Sequence, residues 1–96
     1  MRNSRCLQFG EYLQVARVPS LKSDELLAIL MRPPLGYRIR RQRGSHRILD
    51  AQGRPTLVFA FHSGRSIPGW LVWSILTKQV GLTDAEARAV LTKGLS

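Results

Sequence analysis

The residue best suited to chemistry is His46, which follows a glycine and a serine in the stretch RRQRGSHRIL. An imidazole exchanges protons near neutral pH, which suits it to general acid–base catalysis. Arg41, Arg43 and Arg47 are close to it in sequence, and guanidinium groups stabilise negative charge that develops in a transition state. RNA can be cleaved with these groups, because its own 2′-hydroxyl attacks the adjacent phosphate. The pattern therefore suits RNA cleavage without a metal.

Gly44 and Ser45, which precede this histidine, fit the same interpretation. Gly44 has no side chain and lets the backbone approach a phosphate closely. The Ser45 hydroxyl can donate a hydrogen bond to a phosphate oxygen. From residue chemistry alone, a histidine in such a stretch is more often structural or simply exposed than catalytic. The pattern by itself leaves both alternatives open.

The positive charge of the chain is concentrated around this histidine. The 96 residues include 15 Lys and Arg against 6 Asp and Glu, a net charge of +9. Six arginines and one acidic residue, Asp50, lie between Tyr37 and Arg54. A solvated surface would explain a short run of charge, but six arginines without a lysine favour binding of a polyanion, because a guanidinium grips two phosphate oxygens at once.

The rest of the composition restricts the class of protein. Cys6 is the single cysteine, so an intramolecular disulfide is excluded and a reducing, cytoplasmic setting is favoured. No apolar run approaches the roughly 18 residues of a membrane span. One cysteine and two histidines are few for a metal site, and the paired carboxylates of two-metal cleavage are missing. We expect neither a metal nor another cofactor, and no membrane partner.

Helices are predicted on both sides of a central strand region. Ser23 has the side chain of an N-cap for a helix that Pro33 and Pro34 end. A second helix is predicted with Pro68 in its first turn, and it stops at Gly81, after Val80. Thr83 and Glu86 form a capping-box pattern that starts a short final helix, ending at about Leu91.

Three short strands are predicted between the first two helices. They run over Tyr37 to Arg41, His46 to Asp50 and Thr56 to Phe61, with turns at QRGS and DAQGRP. The turn lengths suit consecutive hairpins and hence an antiparallel meander. Leu57, Phe59 and Phe61 share one face. Residues 1–20 fit both helical and strand spacing, so their structure stays open.

The order of several motifs is similar to that of the HicA toxins, small ribonucleases that cleave messenger RNA. Lys22-Ser23 opens the first helix, Gly36-Tyr37 enters the first strand, Gly44-Ser45-His46 enters the second, His62 follows the third, and SILTKQVGL ends the second helix. The resemblance covers about Leu21 to Thr83, nearly the whole predicted folded unit.

The resemblance implies an α+β fold like that of a double-stranded-RNA-binding domain, with the order α-β-β-β-α and helices on one face of the sheet. It implies that His46 is the catalytic residue of a metal-independent endoribonuclease acting on mRNA. It also implies a HicB-like antitoxin that covers the active site in a heteromeric complex. The Pro33-Pro34 pair and the bulky Trp70 depart from the family pattern, and put substrate docking and partner fit in question.

Domain organisation follows from the same comparison. Residues 1–20 form an extension of uncertain order, 21–83 the RNA-binding and catalytic domain, and 84–96 a C-terminal helical tail. His62 is either a second proton-transfer or phosphate-binding group, or a polar residue capping the third strand, which is the favoured reading. Trp70 and Trp73 can stack on bases or anchor a partner, although at least one is expected to pack on the sheet.

The residues and the resemblance together support one main hypothesis and two alternatives. The main hypothesis is the endoribonuclease half of a toxin–antitoxin pair, with His46 as general acid/base. Arg41, Arg43 and Arg47 would hold the phosphate, assisted by Ser45. The first alternative is a non-catalytic RNA-binding module of the same shape. The second is an interaction protein whose basic face docks an acidic partner.

Overall fold

The computed structural model describes residues 18–95, so the alternatives for the first 17 residues lie outside the described part of the chain. The strands are β1 Leu21–Lys22, β2 Arg38–Arg43, β3 His46–Asp50, β4 Leu57–Ala60 and β5 Ser66–Ile67; the helices are α1 Ser23–Met31, α2 Gly69–Ser74 with a π-helical continuation over Ile75–Gln79, and α3 Asp84–Leu95. The predicted order of helix, three strands and helix is confirmed.

The central sheet is antiparallel, with the order β2-β3-β4. This meander confirms the prediction, and its middle strand β3 has the predicted bounds. A second sheet pairs β1 with β5 and was not predicted. Each of its strands has only two residues, too few for an alternating hydrophobic pattern to show.

The two faces of the central sheet differ because side chains alternate along each strand. Leu49 pairs with Leu57, and both are buried together with Phe59 beneath the helices. Ile48 pairs with Val58 on the other face, where Val58 is 61% exposed. The helices therefore cover one face, as predicted, and the second face is open.

Helix α1 begins one residue earlier than its predicted cap implies. Ser23 is the first helical residue, is buried, and donates its backbone N–H to the Arg65 carbonyl at 3.0 Å. Lys22 takes the N-cap position, and its backbone N–H donates to the Glu25 carboxylate at 2.8 Å. The prediction of Ser23 as N-cap was wrong because the neighbouring loop, distant in sequence, supplies a backbone partner. The helix ends before Pro33, whose bond to Pro34 is cis.

The second helix stops where predicted but begins at Gly69, with Pro68 as its N-cap and not in its first turn. The last helix begins where predicted but runs to Leu95, beyond the expected end at about Leu91. Gly81 has a φ of +89°, which ends the helical path after Val80 without strain on a side chain. Thr83 and Glu86 form the predicted capping box through reciprocal bonds of 2.9 and 3.1 Å. The Glu86 carboxylate accepts a hydrogen bond from the backbone N–H of Thr83 and interacts with the Thr83 side chain. Both contacts lower the pKa of Glu86 below its ordinary value.

One hydrophobic core lies between the sheet and all three helices. Its fully buried residues come from every layer: Leu26, Leu30, Tyr37, Leu49, Val72, Leu76 and Ala87. Burial raises the pKa of the Tyr37 phenol, opposed by the charge of Arg54, and this phenol donates a 2.8 Å hydrogen bond to the Pro55 carbonyl. Within residues 18–95 no helix is long and apolar enough to cross a membrane.

Candidate nucleic-acid interface

His46 lies at the start of β3, on the open face of the central sheet. Its strand neighbours are Arg43 on β2 and Ala60 on β4, which the pairing places directly opposite it. All three residues are exposed. The imidazole is therefore accessible to a large ligand lying across the sheet, with a guanidinium group on the neighbouring strand.

An arginine column runs along β2 beside this histidine. We use this name for Arg38, Arg40, Arg41 and Arg43, all of which are exposed. Arg41 pairs with Ile48 and Arg38 pairs with Asp50, so both share the open face with Arg43. Strict alternation would place residues 38 and 41 on opposite faces. A β-bulge between Ile39 and Arg41 restores them to one face.

Of the predicted site residues, the structure brings Arg41 and Arg43 onto the face of His46, whereas it places Arg47 on the opposite face. Arg47 pairs with Phe59, which is buried under the helices. Its guanidinium donates a 2.9 Å hydrogen bond to the Gly44 carbonyl and lies 4.8 Å from the centre of the Phe61 ring. The guanidinium therefore contacts the turn before the histidine.

Gly44 and Ser45 form the two-residue turn between β2 and β3. Gly44 has a φ of +59°, and glycine at the first position is typical of turns that close a tight hairpin. The Ser45 carbonyl accepts the Phe61 backbone N–H at 2.7 Å, which extends the pairing of β3 and β4 beyond His46. Both predicted residues therefore border the histidine.

His62 lies in the loop that follows β4, at the same end of the sheet as His46. It is exposed, and its carbonyl accepts the Arg65 backbone N–H at 3.0 Å. On the other side of this turn, the Asp24 carboxylate accepts bonds from the Gly64 amide at 3.2 Å and from the Ser63 hydroxyl at 3.5 Å. No local sequence signal points to Asp24, because it is about 40 residues away from the loop it holds.

Asp50, the acidic residue nearest to His46 in the sequence, is not its neighbour in the structure. The two residues occupy opposite ends of β3, roughly 13 Å apart at the usual rise per residue. The Asp50 carboxylate forms a 3.2 Å ion pair with Arg40 and accepts a 2.8 Å bond from the Thr56 hydroxyl. Asp50 therefore organises the far end of the arginine column.

That far end also contains a shallow pocket that the sequence analysis did not identify. The pocket has a volume of about 540 Å³ and is lined by Arg38, Arg40, Asp50 and their neighbours. Arg38 and Arg40 were counted as charge in the sequence without being assigned to a site. Arg38 pairs with Asp50 and Arg40 forms an ion pair with it, and both contacts depend on a strand register that no local sequence signal gives.

The two tryptophans have different environments. Trp73 is partly buried and packs against the hydrophobic core, so it has a structural role. Trp70 is 65% exposed on α2 and stays a candidate for contact with a base or a partner. Among residues 18–95 no three His, Cys, Asp or Glu side chains converge as ligands for a metal ion.

Comparison with known proteins gives one family. No curated protein and no solved structure matches the chain. A family model described as the HicA toxin of bacterial toxin–antitoxin systems matches residues 23–82. The matched region runs from the first residue of α1 to just before α3 and includes the whole sheet, the histidine and the arginine column. Because this match covers well over half of the sequence, the chain belongs to the HicA toxin family.

Proposed function

We propose that the protein is a metal-independent endoribonuclease acting on mRNA, the toxin of a type II toxin–antitoxin pair. The observation that carries this proposal is the position of His46 on the open sheet face, exposed and paired with Arg43. Arg41 and Arg38 continue along the same face toward the other end of β2. This surface offers a polyanion both a binding track and a group that can transfer protons.

The proposed reaction begins with attack of the RNA 2′-oxygen on the neighbouring phosphorus. His46 takes part in the proton transfers that accompany this attack and the departure of the 5′-oxygen. Arg41 and Arg43 bind the phosphate and stabilise the charge that accumulates on its oxygens. Ser45, in the turn before the histidine, assists in holding the phosphate. The products are a 2′,3′-cyclic phosphate and a free 5′-hydroxyl.

A HicB-like antitoxin is the proposed protein partner. The open face presents exposed cations beside the exposed apolar side chain of Val58. A partner that covers this face would neutralise its charge and bury His46 at the same time. A heteromeric complex that blocks the sheet is therefore consistent with inhibition by occlusion.

The test of this function is cleavage of a long single-stranded RNA in excess EDTA. Wild type should cut the RNA, and His46→Ala should lose at least about 100-fold in rate, the usual contribution of a general acid or base. Circular dichroism should show that both proteins are folded. Lys78→Ala, which removes an exposed charge from the π-helical segment, serves as the control and should cut at the wild-type rate.

The alternative function, RNA binding without cleavage, predicts a different result in the same experiment. It is supported by the same arginine column, because these cations would hold an RNA backbone whether or not a histidine acts on it. If neither wild type nor His46→Ala cuts the RNA, but both bind it with a steep dependence on salt, the binding module replaces the enzyme.

A further inference from the structure

A second histidine, His62, follows β4 at the end of the central sheet where His46 lies. Ala60 is directly opposite His46, and the bond from the Phe61 amide to the Ser45 carbonyl extends this pairing by one residue. His62 follows Phe61, two residues beyond Ala60 and just outside the end of β4. In a regular antiparallel pair, residues offset by two positions across the strands are roughly 7–8 Å apart, so the position of His62 brings a second imidazole within reach of a phosphate bound at His46.

The backbone around His62 is held by groups other than its own imidazole. Its carbonyl closes the turn with the Arg65 amide, and Asp24 of α1 accepts bonds from Ser63 and Gly64. Within residues 18–95 the imidazole makes no hydrogen bond or ion pair. The strand-cap role expected for His62 is thus filled by the backbone and by Asp24, which leaves the imidazole available for a ligand.

Cleavage by the 2′-hydroxyl requires two proton transfers at different places. One proton leaves the 2′-oxygen as it attacks, and another reaches the 5′-oxygen as its bond to phosphorus breaks. In an in-line displacement the two oxygens are on opposite sides of the phosphorus, so one imidazole is poorly placed to serve both. A phosphate has room between two groups separated by several ångströms.

We propose that His62 is the second proton-transfer residue of this site, lying across the scissile phosphate from His46. This inference rests on the proposed endoribonuclease function. One imidazole accepts the proton of the 2′-hydroxyl while the O2′–P bond forms, and the protonated imidazole of the other gives its proton to the 5′-oxygen while the P–O5′ bond breaks. In this mechanism both histidines contact the reacting oxygens. One proton leaves the RNA and one is returned to it, so the step needs neither an oxidant nor a metal.

The test uses an oligonucleotide that spans one cut mapped with wild type, made with either oxygen or sulfur at the bridging 5′ position. A thiolate leaves without a proton, so a protein that has lost only its general acid regains activity on the sulfur substrate. His62→Ala should lose at least about 100-fold on the oxygen substrate. One of the variants His62→Ala and His46→Ala should then recover on the sulfur substrate while the other does not.

A charge-preserving variant separates proton transfer from phosphate binding. Arginine cannot exchange a proton at accessible pH, so His62→Arg should be as inactive on the oxygen substrate as His62→Ala. Asp24→Asn and Ser63→Ala test the support of the turn and should retain more activity than either variant of His62. Recovery of one alanine variant, whichever it is, supports the pair and identifies its acid.

Three results would overturn the role of His62. The first is cleavage by His62→Ala within about threefold of wild type, less than any general acid contributes. The second is wild-type activity of His62→Arg, which would leave only a binding role. The third is equal loss by both alanine variants on both substrates. If wild type cuts neither substrate, the endoribonuclease function fails first, so the two failures are distinguishable.

Discussion

At the residue scale, the consecutive residues His46 and Arg47 lie on opposite faces of the sheet and therefore have different surroundings. Side chains of neighbouring strand residues point to opposite faces, so the histidine faces solvent and the arginine faces Phe59 and Phe61. Arg47 contacts the turn through the Gly44 carbonyl. We infer that it positions the Gly44-Ser45 turn, and with it the histidine, and does not hold the phosphate.

Replacing Arg47 should thus affect stability and the cleavage rate, whereas replacing a residue of the arginine column should affect RNA affinity. Arg47→Met keeps the aliphatic stem but loses the Gly44 bond and the contact with the Phe61 ring, and should lower the free energy of unfolding by about 1–2 kcal/mol. Its cleavage rate should fall while its affinity for RNA changes little. Arg43→Met, the matched control, should weaken RNA binding with little effect on stability. Urea unfolding and fluorescence anisotropy with labelled RNA measure the two effects.

The role assigned to Arg47 has a clear contrary outcome. If Arg47→Met weakens RNA binding as much as Arg43→Met does and leaves the unfolding midpoint unchanged, the guanidinium binds the phosphate in solution. The original sequence interpretation, in which all three nearby arginines hold the phosphate, would then be restored.

At the element scale, the start of α2 is packed against the chain entering β1. A β-carbon added at Gly69 would collide with the backbone carbonyl of Val18. Backbone atoms cannot rotate away as the end of a flexible side chain can. The first turn of α2 therefore requires glycine because there is no space for a side chain. Its backbone conformation is not the reason, because the φ of Gly69 lies outside the left-handed region.

Gly69→Ala should consequently be destabilising, even though alanine is the better helix former. Overpacking of this kind costs about 1–3 kcal/mol, which should appear as a lower urea midpoint for unfolding. Lys78→Ala, on the exposed part of the following helical segment, should change stability by less than about 0.5 kcal/mol. A Gly69→Ala protein as stable as wild type would show that α2 and the chain at Val18 can separate at little cost.

At the scale of the whole molecule, the fold divides apolar and charged residues between the two sides of one sheet. The helices cover the face that bears Leu49, Leu57 and Phe59. The other face carries the arginine column and is open to solvent. A polyanion bound there would displace counterions in proportion to the number of phosphates that the arginines contact.

If RNA binds to this face, its affinity should therefore fall steeply as the salt concentration rises. With three or four phosphate contacts, the logarithm of the binding constant should decrease by roughly 2–3 per tenfold increase in salt, since each contact to a single strand contributes about 0.7. Arg41→Met and Arg43→Met should each reduce this slope by about 0.7. Anisotropy titrations in the His46→Ala background, which avoids cutting, measure the slope.

Lys78→Met is the control for net charge in the salt experiment. It removes one positive charge from the π-helical segment outside the sheet and should leave the slope unchanged. A slope that responds to Lys78→Met and ignores Arg43→Met would place the RNA on the helical side, against the proposed interface.

Local sequence determined most of the elements of this protein, whereas the start of α1 and the β1–β5 pair depend on residues distant in sequence. The capping box at Thr83 and Glu86, the stop at Gly81 and the tight turn at Gly44 follow from interactions between residues within a few positions of each other, and the bounds of β3 were predicted from the residues between its two turns. The same local order of motifs predicted the family, which the match over residues 23–82 confirms. The candidacy of His46 likewise came from its neighbours in the chain.

The composition of the site depended on contacts that no local pattern encodes. The bulge that places Arg38 and Arg41 on one face arises from pairing with β3, and Asp24 reaches its loop from about 40 residues away. Strand alternation separated Arg47 from its neighbour, and antiparallel pairing carried His62 to the end of the sheet occupied by His46. Register and long-range packing are collective properties of the folded chain, so only the tertiary structure decided which charged and titratable groups share a surface.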